Sequence, residues 1–113
     1  MIHETGHALG LPDLYDYDTN PPRGGVGHLD MMDSNWGDHN CFSKWLLDWI
    51  TPIVISCNTG EVILNASGTS KDAVLIWPNV GLDDIFSEFF MVQNRHRAGN
   101  DTTMWTNTKL PPN

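Results

Sequence analysis

The run His3-Glu4-Thr5-Gly6-His7-Ala8-Leu9-Gly10-Leu11-Pro12-Asp13, at the start of a 113-residue chain, constrains everything that follows it. Residues four apart on a helix lie on one face, so His3 and His7 can aim both imidazoles at one point. Zinc takes imidazole nitrogen at about 2.0–2.1 Å, and two helical histidines at this spacing supply half of a tetrahedral shell. Glu4 directly follows His3, beside the metal but not forced to ligate it. That is where a general base stands to take a proton from a metal-activated water. Gly10 comes three residues after His7 and tolerates the left-handed backbone of a helix stop, and Pro12 keeps the helix from resuming. The chain is then expected to double back and bring Asp13 to the same ion as a third ligand. Three protein ligands leave a fourth position for water, the arrangement of a catalytic rather than a structural site. A chain of this length and composition produces HExxHxxGxxD by accident at roughly a few in a hundred thousand, and a bare HExxH about a hundred times more often.

Size limits the chain to one domain at most. Its five tryptophans and four phenylalanines give it large pieces to bury. A formal charge of −8 argues against nucleic acid or an anionic membrane surface as the main partner. It suits a soluble, secreted protein whose aspartates are also candidates for holding calcium. The sequence shows neither a signal peptide nor a membrane span. A zinc helix needs a turn or more before its first ligand, yet only Met1 and Ile2 precede His3. With an end at Leu110-Pro111-Pro112-Asn113, the expectation is a fragment, or a mis-started reading of the gene, of a longer protein. Cys41 and Cys57 fit either one disulfide in an oxidising compartment or two unlinked thiols. Asn65-Ala66-Ser67 and Asn100-Asp101-Thr102 match the glycosylation acceptor pattern, which is common by chance.

Along the chain, residues 1–10 read as the active-site helix, with Leu9 and Leu11 packing inward. From Asp13 to Asn40, Pro21-Pro22, Gly24-Gly25-Val26-Gly27 and scattered aspartates predict turns rather than periodic structure. A loop this long is functional or metal-held when it occurs in a compact domain. Asp16, Asp18, Asp30, Asp33 and Asp38 are the calcium candidates, although their spacing is not that of an EF-hand loop and solvated turn positions explain most of them. Apolar residues at 42, 45, 46, 49 and 50 predict a helix stopped by Thr51-Pro52, with Trp45 and Trp49 turned to the core. Short β-rich runs follow at Ile53–Ser56, Glu61–Asn65, Ala73–Trp77 and Glu88–Asn94, which read as a small antiparallel sheet. His28, His39 and His96 read as loop or surface histidines.

Taken together, "HETGHALGLPDLYDYD" (His3 to Asp18) resembles the active-site signature of the immune inhibitor A family of secreted, metzincin-like zinc metallopeptidases. "GVGHLDMMDSNWG" (Gly25 to Gly37) resembles that family's glycine-led methionine turn. "FSKWLLDWITP" (Phe42 to Pro52) resembles the helix after it, and "EFFMVQNRHRAGND" (Glu88 to Asp101) a downstream strand. Two positions depart from the pattern: His28 stands where an aromatic residue is expected and Asp33 where a small one is. A methionine beneath the zinc ligands is a metzincin hallmark, and its adaptable thioether packs well under imidazole rings. The resemblance gives Met32 that place, while Met31 and Met32 as plain core filling is the competing explanation.

The resemblance implies zinc held by His3, His7 and Asp13, Glu4 as general base, bound calcium, secretion, and proteolysis of extracellular proteins. The expected fold is α+β: the C-terminal part of a metzincin-like catalytic domain over residues 1–52, then a β-rich region over 53–113. The competing expectations are a non-catalytic, zinc-stabilised binding or adhesion module and an inactive truncated relic.

Overall fold

The computed structural model describes residues 2–18, 25–34, 37–57, 60–77 and 88–102. The expected Pro21-Pro22 turn and Trp36 of the methionine turn lie outside these residues.

The zinc-motif segment forms helix α1 (Ile2–Ala8). Its stop is built from hydrogen bonds of the Schellman type: Leu11 N–H donates to the Gly6 carbonyl at 3.0 Å and Gly10 N–H to the His7 carbonyl at 2.9 Å. Gly10 takes the left-handed conformation, at φ +94°. Leu11 is buried as expected, but Leu9 lies about half exposed, because the turn carries it away from the interior.

The aspartate-rich stretch is not wholly irregular. It contains a one-turn helix, α2 (Met31–Ser34), packed against α1. A third helix, α3 (Cys41–Leu46), begins at Asn40, whose side chain accepts from the Ser43 N–H at 2.9 Å. It ends earlier than the apolar spacing predicts. Asp48 turns left-handed at φ 57°, with its own N–H on the Trp45 carbonyl and the Trp49 N–H on the Lys44 carbonyl. This closes a second stop of the same kind before Thr51-Pro52 is reached. Trp45 packs against the small core of Cys41, Ile50 and Ala73, while Trp49 is left largely exposed.

The sheet is mixed, not antiparallel. Strands β1 (Ile53–Ile55) and β2 (Val74–Ile76) pair in parallel, and β2 pairs antiparallel with β3 (Phe90–Val92). A parallel pair needs a crossover of a dozen or more residues, and the long segment between β1 and β2 supplies it. Within that segment Glu61–Asn65 makes no strand. Its burial alternates as a strand's would, but the one bridge nearby is Ala66 with Asn94, and Ile63 stays 78 % exposed. Alternation without a neighbouring ladder leaves extended chain only.

The fold is therefore α+β, with three short α-helices and a three-stranded sheet among the described residues. Aromatic contacts join the two parts, Phe89 meeting Phe42 at 6.1 Å and Trp45 at 5.9 Å between ring centroids. Cys41 is buried and Cys57 exposed, and no disulfide joins them, so the disulfide alternative fails. Burial pushes the Cys41 thiol pKa up and keeps it protonated.

Candidate metal centre

His3 and His7 share one face of α1, their ring centroids 4.8 Å apart and set edge to face. Each ring is held from behind by a backbone carbonyl. The His3 Nδ1–H donates to the Met31 carbonyl at 3.0 Å, and the His7 Nδ1–H to the Leu11 carbonyl at 2.9 Å. A carbonyl can only accept, so each Nδ1 carries a ring proton, and each Nε2 is turned outward.

Both Nε2 atoms face the same oxygen. After the glycine stop the chain reverses, the Leu14 N–H anchors on the Met32 carbonyl at 2.9 Å, and Asp13 is carried over α1. Its Oδ1 lies 3.1 Å from His3 Nε2 and 3.2 Å from His7 Nε2. The three donors fall within 4.8 Å of one another and are the one such group of three or more among the described residues. Zinc–ligand bonds of about 2.0–2.1 Å place neighbouring donors of a tetrahedral shell about 3.3–3.4 Å apart, close to the two Asp13–imidazole separations found here. The His3 Nε2–Oδ1 approach is of hydrogen-bond length, and a ring proton or a cation between the rings and the carboxylate makes it favourable. Two imidazoles and a carboxylate are a donor set that zinc takes, and the two Asp13 distances are compatible with such a shell. Side-chain exposures of 13 % for His3, 35 % for His7 and 16 % for Asp13 leave the group reachable by water.

Asp13 is held by more than the imidazoles. Its other oxygen, Oδ2, accepts from the Tyr15 hydroxyl at 3.0 Å and from the Tyr17 hydroxyl. The Tyr17 hydrogen bond, helped by Tyr15, His7 and His3, outweighs partial desolvation and holds the Asp13 carboxyl below the usual carboxylate range. The same contact raises the Tyr17 phenol well above its ordinary pKa and keeps it a donor. Sequence reasoning missed both tyrosines. The available signal was their spacing, two and four residues beyond a ligand in a segment rich in turns.

Glu4 follows His3 on α1 and is exposed. Met32 is fully buried beneath the helix. A Cβ built on Gly6 would come 2.3 Å from its sulfur, so glycine there lets the helix sit directly on the thioether. Met32 thus underlies the zinc-motif helix, though on a helical turn.

The other histidines divide. His28 and His96 are exposed, in keeping with the sequence. His39 is not a surface residue: it is buried, 3.3 Å from Asp30 through Nδ1 and edge-on to Trp49 at 5.7 Å. The calcium candidates form no donor cluster among the described residues. Asp30 is fully buried and spends its oxygens on the Met32 and Asn40 N–H groups and the Ser43 hydroxyl, while Asp38 pairs with Lys44 at 2.5 Å. Asp33 accepts from the His28 N–H, and Asp16 from the Asp18 N–H. These carboxylates serve turns and packing.

No protein-family model matches the chain, and neither a curated protein nor a solved structure is similar to it.

Proposed function

We propose that this chain is part of a zinc-dependent endopeptidase that cleaves peptide bonds of extracellular proteins. One observation carries the reading: two imidazole nitrogens, oriented through their rings' contacts with backbone carbonyls, converge on one carboxylate oxygen, and a glutamate follows the first of them. His3 and His7 would hold the ion as neutral ligands, and Asp13 would offset part of its charge. Zinc bound there polarises a carbonyl and lowers the pKa of water. Glu4 takes the proton of the attacking water as its oxygen bonds to the scissile carbonyl carbon. It then passes that proton to the leaving nitrogen as the C–N bond breaks, so acid and amine are both accounted for. A site that only stabilises a fold has no use for a base beside its first ligand, which favours the enzyme over the binding module. Among the described residues no helix is long and apolar enough to cross a membrane.

Metal analysis of the purified protein is expected to find about one zinc per chain. A casein assay should show cleavage that a chelator stops and zinc restores. Glu4→Ala should lower the rate by about 10²–10⁴-fold while zinc content is kept. A wild-type protein that binds zinc fully and cleaves nothing would overturn the enzyme reading in favour of the non-catalytic module.

A further inference from the structure

We infer that Tyr15 and Tyr17 are positioning residues that make Asp13 a one-oxygen ligand. The inference rests on the metal-binding part of the proposal above. A carboxylate can meet a cation through one oxygen or both, and the choice sets the coordination number. Here the oxygens are already divided. Oδ1 faces the two Nε2 atoms, at 3.1 and 3.2 Å, while Oδ2 accepts two phenolic hydroxyls. A carboxylate oxygen has two lone-pair directions, so two donors saturate Oδ2 and leave Oδ1 alone for an ion.

The tyrosines are placed for this by their own contacts. The Tyr15 ring stacks on His3 at 6.4 Å and 25°, and Tyr17 meets Tyr15 at 4.8 Å between centroids. The stack runs from one metal-binding ring to the hydroxyls that hold the third ligand, so ligand orientation and aromatic packing are fixed together. No interior packing accounts for Tyr17, which is 73 % exposed. Its hydroxyl contact with Asp13 is the contact that explains its position. The consequence is selectivity. A three-donor shell with a single carboxylate oxygen suits a small tetrahedral ion, and it denies calcium the larger oxygen shell that ion takes.

Tyr15→Phe, Tyr17→Phe and the double variant test the assignment, since each removes one hydroxyl and keeps the ring. Zinc affinity, read by competition with a chromogenic chelator, should fall about 10–100-fold in the double variant and less in each single one. Cobalt(II) in place of zinc reports coordination number through its visible absorption. The wild type should show the intense bands of a four-coordinate ion, and the double variant the weaker bands of a five-coordinate one as Oδ2 joins Oδ1. Calcium competition should also strengthen in the double variant. Unchanged affinity and unchanged cobalt bands overturn the inference, and so does lost affinity with unchanged bands. A wild-type protein that binds neither zinc nor cobalt overturns the peptidase proposal as well, which separates the two failures.

Discussion

At the scale of single residues, the metal motif was legible because its chemistry demands residue types at fixed helical intervals. His3, His7, Gly10 and Asp13 each occupy the place their spacing implies, and the glycine takes the left-handed turn that returns Asp13 to the helix. Gly6 was not legible, because its requirement comes from Met32, far along the chain. That contact makes a prediction. Alanine in a helix interior is normally favoured over glycine by about 1 kcal/mol. Here the new Cβ would meet the Met32 sulfur at 2.3 Å and its methyl at 3.2 Å, in a side chain with no exposed space to retreat into. Overpacking a core costs about 1–3 kcal/mol, so Gly6→Ala should be a net loss on the order of 1 kcal/mol. Urea denaturation of Gly6→Ala, Met32→Ala and the double variant should show favourable coupling, the smaller residue at 32 making room for the methyl. A Gly6→Ala protein more stable than wild type would mean that Met32 has space to move.

At the scale of elements, helix ends were readable only where glycine marks them. α1 and α3 stop by the same hydrogen-bond pattern, but α3 uses Asp48, and an aspartate on an amphipathic surface reads as helix until its φ is seen. Three of the four β-rich runs became strands; the pairing directions did not follow, because local alternation carries no information about which neighbour a strand will find. The join between α2 and α3 depends on Asp30. Burial works against its charge, but hydrogen bonds from the His39 ring, the Met32 and Asn40 amides and the Ser43 hydroxyl win and hold its pKa below the ordinary value. The sign follows: a depressed folded pKa stabilises above the unfolded value of about 3.9, and that stabilisation is lost as pH falls through the folded value. Hydrogen bonds to a charged group are worth about 1.5–3 kcal/mol each, so Asp30→Asn should cost several kcal/mol at pH 6. Denaturant unfolding of the chelator-treated proteins should show that gap narrowing between pH 6 and pH 3. A constant gap would mean that the Asp30 carboxyl binds protons alike in the folded and unfolded chain, and would overturn the depressed pKa.

At the scale of the whole molecule, Arg95 connects the end of the described chain to its beginning. Its guanidinium forks onto Asp101, through Nε at 3.2 Å and through Nη2, and donates to the Leu29 carbonyl and, at 3.1 Å, to the Asp38 carbonyl. Asp101 is fully buried and also accepts from the Asp38 N–H at 3.1 Å. Lys44 extends the network from Asp38 to the Ser67 carbonyl at 3.1 Å. Leu29 lies two residues before Met31, whose carbonyl fixes the His3 ring, so the segment after β3 braces the loop that orients His3. The described residues before and after Pro52 are therefore interlocked rather than merely adjacent. Removing one partner of a buried pair costs about 3–5 kcal/mol because the other charge is stranded. Arg95→Met should lose about that much in denaturant unfolding, and adding Asp101→Asn should recover part of it by removing the stranded charge. Arg95→Lys should fall between, since an ammonium keeps the charge but cannot reach Asp101, Leu29 and Asp38 together as the planar fork does. Because the brace ends at Leu29, two residues before Met31, zinc affinity should drop in Arg95→Met under conditions where the variant remains folded. Stability lost with zinc affinity intact would show that the site at the beginning of the chain is held by α1 and α2 alone.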